Sequence, residues 1–275
     1  MVSINPSISV RPAAVAGMFY PADPRVLARE VDLLVGQAPR PALDPLRIKA
    51  DAVPHAGYVY SGETAGCAYA LIAPRRATIR RVVLLGPTHR VAVAGLALPD
   101  ADSFDSPLGP IPLDSELVAA ALALPQVVVS KAAHAAEHSL EVQLPFLQRV
   151  LEHFSLLPLA VGRASAAEVA QVLDALWGGP ETLIVISTDL SHFHAYDEAV
   201  RIDSSTVQDV LALRTSIDHA HACGATPLNG LLLCAQQRGL TPHLIDVRNS
   251  GDTAGDKSRV VGYGAFAFTE QPSHG

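Results

Sequence analysis

The sequence predicts an α/β fold, a single domain with a central mixed β-sheet flanked by helices. Three observations carry this reading. Short apolar, β-rich runs alternate with segments of helical spacing, which is the pattern of a layered sheet. The chain has 275 residues, 49% of them hydrophobic, enough for a sizeable core, and no linker, repeat or low-complexity tract divides it. Finally, the Gly- and Pro-containing stretch "SFDSPLGPIPLD" (103–114) breaks the rhythm and reads as a turn between two short antiparallel strands. The domain is expected to span 1–275, with its core over roughly 10–268.

Taken in order, "PRVLAREVDLLVGQ" (24–37) has helical spacing, with Asp23 placed to cap it and Pro24 suited to its first turn. "IKADAV" (48–53), "RVVLLG" (81–86), "FSLLPLAVG" (154–162), "TLIVIS" (182–187), "PHLIDV" (242–247) and "RVVGYGAFAF" (259–268) read as buried strands. "SLEVQLPFLQRVLEHF" (139–154) is helical, with Pro145 implying a kink or a late start. "SAAEVAQVLDALWGG" (165–179) opens on Ser165 and Glu168, the spacing of a capping box, and ends at Gly178. Residues 196–214 and 226–239 are further helices.

Composition excludes several classes. Lys and Arg total 20 against 27 Asp and Glu, a net charge of -7. The tight basic pairs are only Arg75-Arg76 and Arg80-Arg81, so neither nucleic acid nor an anionic membrane is an expected partner. Cys67, Cys223 and Cys234 are odd in number and widely spaced, which is not a disulfide framework. The start of the chain lacks the basic and apolar regions of a signal peptide, and the apolar runs are too short or Pro-broken to span a bilayer. The expected compartment is a reducing cytoplasm.

Ligands of open α/β sheets bind beyond the carboxyl ends of strands. Four motifs sit at such ends. "VPHAGYVYSG" (53–62) carries His55, "LLGPTHR" (84–90) carries His89, "STDLSHFH" (187–194) carries Asp189 and His192, and "HACGATP" (221–227) carries Cys223 before a helix. Imidazoles with one anionic group make an open site for non-haem iron, and zinc accepts the same set. No compact signature such as HExxH or CxxC is present, so spacing alone leaves the metal open.

Each group also has a bland reading. His55 can bond its own turn, His89 can cap a helix or bind an anion, and Asp189 can cap the helix after it. Cys223 can be inert, although a helix start lowers a thiol pKa. Cys67 and Cys234 lie in apolar helical stretches and read as core. Glu137 and His138 are adjacent at a helix start, where they line a pocket or cap. His153, His194, His219, His221, His243 and His274 have no assigned role.

Seven segments, in order, carry a resemblance. "RPAAVAGMFYPAD", "PHAGYVYSG", "GPTH", "EHSLEVQLPFL", "STDLSH", "CGATP" and "NSGDTAGDKSRVVGYGAFAF" resemble the MEMO family over nearly the whole chain. That family is similar in fold to the class III extradiol dioxygenases of the protocatechuate dioxygenase type. The resemblance implies a metal held by His55, His89 and Cys223, with Asp189 and His192 as the other pocket residues. Tyr58 and His138, within the same motifs, are candidate substrate contacts. In the dioxygenases the third ligand is a glutamate, and here its place falls to Cys223. A thiolate is softer, which favours zinc, copper(I) or a tuned iron site, and it is exposed to oxidation where dioxygen is activated.

The implied cofactor is one divalent metal ion, Fe(II) first, with copper or zinc as alternatives. Two functions follow. One is an Fe(II)-dependent, extradiol-type dioxygenase or oxidoreductase acting on a small, catechol-like substrate, with His192 moving the proton and Asp189 orienting an imidazole. The other is a non-catalytic metal- or ligand-binding protein working with AMMECR-type and radical SAM partners, which microbial members of the family imply. A peptide-binding scaffold with a relic pocket is a third reading. A hydrolase built on Ser191 and His192 is weaker, because no nucleophile-elbow glycines surround the serine.

Overall fold

A computed structural model of the chain describes residues 9–39 and 41–271; His274 lies outside them. The chain opens with β1 (Val10–Arg11) and α1 (Pro24–Gly36). Asp23 caps α1 as its position predicts, its carboxylate accepting from the Arg25 and Val26 N–H groups. Then come β2 (Ile48–Val53), α2 (Tyr58–Ile72) and β3 (Arg81–Pro87). The short strands β4 (Leu96–Leu98), β5 (Ser103–Phe104) and β6 (Ile111–Pro112) precede α3 (Ser115–Leu122), β7 (Val127–Val129) and α4 (Lys131–Ala135).

The helix expected over 139–154 is shorter. A 3-10 turn at Glu141–Gln143 leads into α5 (Leu144–Val150), with Pro145 in its first turn, where no N–H is missed. Leu151 is already extended, and β8 (Ser155–Val161) follows. α6 (Ala166–Ala175) begins with the predicted Ser165–Glu168 capping box. The rest of the chain is β9 (Thr182–Ser187), β10 (His192–His194), α7 (Tyr196–Leu211), α8 (Ala225–Arg238), β11 (Thr241–Asn249) and β12 (Val260–Thr269).

Among the described residues the main sheet has nine strands in the order β10-β12-β2-β9-β3-β8-β4-β7, with β11 pairing β12 along the edge opposite β2, beyond the short β10. Its centre, β2-β9-β3-β8, is parallel; β12 and β4 join it antiparallel. The "SFDSPLGPIPLD" stretch forms the predicted antiparallel pair, β5 with β6, and β1 adds to it in parallel.

Helices cover both faces, so the central strands are apolar throughout rather than alternating. On β3, Val83 and Leu85 face the layer of α6 and α8, while Val82 and Leu84 face that of α1, α2 and α5. Each fully buried Leu or Val of this kind stabilises the fold by roughly 1.5–3 kcal/mol. Cys67 and Cys234 are buried in α2 and α8, as read. No helix among the described residues is long and apolar enough to cross a membrane.

The sheet order sets the site. β2, β9 and β3 are parallel neighbours, so their carboxyl ends lie side by side. The strands end at Val53, Ser187 and Pro87, and His55, Asp189 and His89 each stand two residues further on.

Candidate metal centre

Three rings meet above this edge. The His55 and His89 centroids are 5.2 Å apart, those of His55 and His138 5.4 Å, and those of His89 and His138 4.6 Å. One ring nitrogen from each lies within 4.8 Å of the others, so the group can hold a metal ion. His138 arrives from the loop before α5, which lies across the end of β3. Gly86 permits this, because a Cβ there would stand 2.8 Å from Ser139 Oγ.

The protonation of two rings follows from their partners. Ser187 Oγ donates to the Ser139 carbonyl (2.6 Å) and accepts from Gln143 Nε2 (2.8 Å). Its proton is therefore used, and His55 Nδ1, 2.9 Å away, must be the donor. His55 Nε2 is left with its lone pair. His89 Nδ1 lies 2.9 Å from Glu137 Oε1. Burial alone would raise the Glu137 carboxyl, but hydrogen bonds from His89 and the Ser139 N–H outweigh it and hold it down to about 2. An ionised carboxylate only accepts, so His89 Nδ1 donates and Nε2 is the nitrogen turned away from Glu137.

Burial first, and the neighbouring imidazoles next, push His55 down to about 3 and His138 to about 4. Both are neutral at ordinary pH, the form a metal needs. His138 Nδ1 is buried; it lies 3.4 Å from Glu137 Oε1, too poorly aligned for a hydrogen bond, and has no other partner.

Cys223 Sγ lies 3.3 Å from His55 Nε2. A sulfur and a nitrogen on one tetrahedral metal stand about 3.6 Å apart, close to this spacing, although the group whose donor atoms all lie within 4.8 Å of one another is the three histidines without the sulfur. The thiol also accepts the Asp189 N–H at 3.2 Å. Gly224 brings α8 this close, since a Cβ would stand 2.6 Å from Thr188 Cβ. The expectation that the helix start lowers the thiol pKa is corrected. Burial, and then the Asp189 charge, raise Cys223 to about 12.

Asp189 does not cap a helix. Its Oδ1 accepts the His55 N–H at 2.7 Å, its Oδ2 lies 3.9 Å from His55 Nε2, and burial raises its carboxyl. His192 stands on β10, half-buried, in a cleft of about 580 Å³ with His138, Asp189, Tyr60, Tyr263 and Arg259. Tyr58, read as a substrate contact, is placed in the core. Its hydroxyl donates to the Val142 carbonyl at 2.8 Å and its ring packs on Phe146. Tyr60, two positions further along α2 and so about 200° around the helix, lines the cleft instead. His194 pairs with Glu198, away from the centre.

A second cleft, of about 650 Å³, reaches the centre from the side of His89 and Cys223. A hollow of about 380 Å³ between α7 and β11 holds none of these groups.

The sequence matches the family described as Memo-like protein over residues 11–267. This chain belongs to the Memo-like family. It is 38% identical to a MEMO1 family protein of Aquifex aeolicus, over 94% of this chain and 99% of that one. A MEMO1 family protein of Archaeoglobus fulgidus is 35% identical over 94% and 99% of the two chains. Among solved structures, an uncharacterized protein of Escherichia coli K12, JW3007, superposes with a TM-score of 0.52 at 15% identity, covering 79% of this Memo-like chain and 99% of that one. That likeness concerns the fold alone.

Two parts of this Memo-like centre escaped the sequence reading. Ser187 was legible only as the end of a strand, and Glu137 only as a pocket or cap residue. The partners that fix two imidazoles come from segments distant in sequence.

Proposed function

We propose that this Memo-like protein binds one divalent metal ion between His55, His89 and Cys223, with His138 as neighbour or further ligand, and acts there as an Fe(II)-dependent, extradiol-type oxidoreductase on a small, catechol-like substrate. The observation that supports this is the convergence of ring nitrogens from His55, His89 and His138, with His55 and His89 each oriented by a hydrogen bond at Nδ1 and the Cys223 sulfur 3.3 Å from His55 Nε2.

The donor set fits a metal by its chemistry: neutral imidazoles, a thiol proton that an ion can replace, and a buried His138 Nδ1 lacking a partner. When bound, Fe(II) supplies Lewis acidity and electron transfer with dioxygen, while zinc or copper(I) would suit the sulfur equally. Ser187 and Glu137 hold the two rings in the ligating tautomer. Asp189 fixes the His55 loop through its backbone N–H. His192 faces the cleft with no side-chain partner among the described residues, free to take a proton from a substrate hydroxyl and return it.

The test has two stages. Metal analysis after anaerobic loading should find about one ion per chain, reduced in His55→Ala. Oxygen uptake by the iron-loaded protein is then measured with a broad panel of catechols. Uptake with none removes the reaction and leaves the second reading, a metal-binding protein that acts through AMMECR-type and radical SAM partners. Failure to load any metal removes both.

A further inference from the structure

The centre is a partition between two clefts of opposite character. His138, Asp189 and His192 open on one, which also carries Asp256 and Arg259. His89 and Cys223 open on the other, walled by Val93, Arg163 and His219. His55 is buried between them. The second cleft has no carboxylate in its lining, although the chain as a whole carries -7.

Each cleft carries one arginine, so the difference in charge lies in the carboxylates, Asp189 and Asp256 on one side and none on the other, and Arg163, exposed at the rim, is the fixed cation of the acid-free side. Arg76, Arg81, Arg149 and Arg248 each pair with a carboxylate, whereas Arg163 pairs with none among the described residues. Its backbone is pinned, the N–H donating to the Val93 carbonyl at 2.8 Å and the carbonyl accepting the Gly95 N–H at 2.9 Å. Gly162 makes that contact feasible, since a Cβ would stand 2.2 Å from Val93 O. His219 is held across the cleft by the Cys223 carbonyl (3.2 Å) and Thr226 Oγ1 (3.1 Å). Between them the walls are apolar, with Ala92, Val93, Val161 and Ala164.

We infer that this acid-free cleft binds a small organic oxyanion, a carboxylate or phosphate on an apolar body, with its charge on Arg163 and its body against Val93 and Val161, facing the Cys223 side of the centre. A guanidinium fork without a partner matches either oxyanion, and the apolar walls match what carries it. The other cleft keeps the imidazole and carboxyl of His192 and Asp189 for proton transfer, so the two sides take different molecules. This rests on the proposed function only for what the anion does there; binding itself needs no metal.

The test uses the metal-free, full-length protein and two probes, benzoate and phenyl phosphate, with benzyl alcohol as the uncharged control. Amide shifts in a proton–nitrogen NMR spectrum report where each binds. The expected result is shifts at Arg163, His219 and Thr226, at least one oxyanion binding about tenfold more weakly to Arg163→Ala and more weakly still to Arg163→Glu, and little response to benzyl alcohol. The stronger of the two oxyanions identifies the headgroup. Arg259→Ala should leave these affinities unchanged. Shifts confined to Tyr60, Asp189 and Arg259, equal binding by Arg163→Ala, or no binding of either probe overturns the inference. Metal content is measured separately on the same variants, so a protein that binds benzoate but loads no metal rejects the metal reading and keeps this one.

Discussion

His55 and Cys223 meet head to head. The sulfur lies 3.3 Å from Nε2, the nitrogen that the Ser187 contact leaves without a proton. The sulfur also lies 3.7 Å from the Asp189 carbonyl, so the contact with His55 is one of two open to the thiol.

The pH dependence of metal affinity follows. With the thiol raised to about 12, His55 lowered to about 3 and His138 to about 4, ligation by sulfur releases one proton while His55 and His138 release none. Affinity should therefore rise about tenfold per pH unit between about 6 and 8, and Cys223→Ser should flatten that slope. Zinc titration against a chelator at several pH values measures it. A flat wild-type slope, with loss of metal in His138→Ala, assigns the third ligand to His138 instead.

Glu137 is 2% exposed and accepts from His89 Nδ1 and from the backbone N–H groups of His89, His138 and Ser139. Glu137→Gln puts an amide where an acceptor is needed. It should lower metal affinity about 10–100-fold, because the His89 tautomer is no longer enforced. Glu137→Ala should also destabilise the fold by about 3 kcal/mol, leaving several buried donors without partners. The chelator titration and denaturant melts separate the two effects.

Asp51, far below the centre on β2, is fully buried, and neither carboxylate oxygen has a partner. Burial raises it from 3.8 to about 8, with Arg75 opposing. Between those values the folded state holds a proton that the unfolded state has lost. The stability is therefore present below about 4 and is lost as pH rises toward 8, by up to about 1.4 kcal/mol per unit. Asp51→Asn should remove that slope and gain on the parent as pH rises. Parallel melting curves of the two proteins at about pH 5 and 8 would contradict this.

Gly224→Ala should disturb the centre before it unfolds the domain. Its Cβ would stand 2.6 Å from Thr188 Cβ and 2.8 Å from Ser187 O, so α8 must back away and take Cys223 with it. A loss of metal affinity larger than the fall in melting temperature suggests is the expected signature. Unchanged affinity would place the sulfur outside the coordination sphere.

The strand-end rule was enough to select His55, His89 and Asp189 from the sequence, because a buried parallel strand is a continuous apolar run whose end is visible in one dimension. The caps at Asp23 and Ser165 were legible for a similar reason, since the groups that meet are three or fewer residues apart. Tyr58 was misplaced because its neighbours in space, Val142 and Phe146, lie more than eighty residues away.

The sequence by itself determined the central strands, the longer helices around them and the residues that stand just beyond three strand ends, all of them local consequences of hydrophobic period and chain chemistry, while short elements such as β4, β7 and α4 carried too little periodicity to be read. Tertiary structure alone decided that β2, β9 and β3 are neighbours, that Ser187 and Glu137 set two tautomers, and that Cys223 faces His55 while an acid-free cleft opens behind it. Those are relations between segments, and their physical cause is the packing of helices against a sheet whose strand order the chain does not spell out.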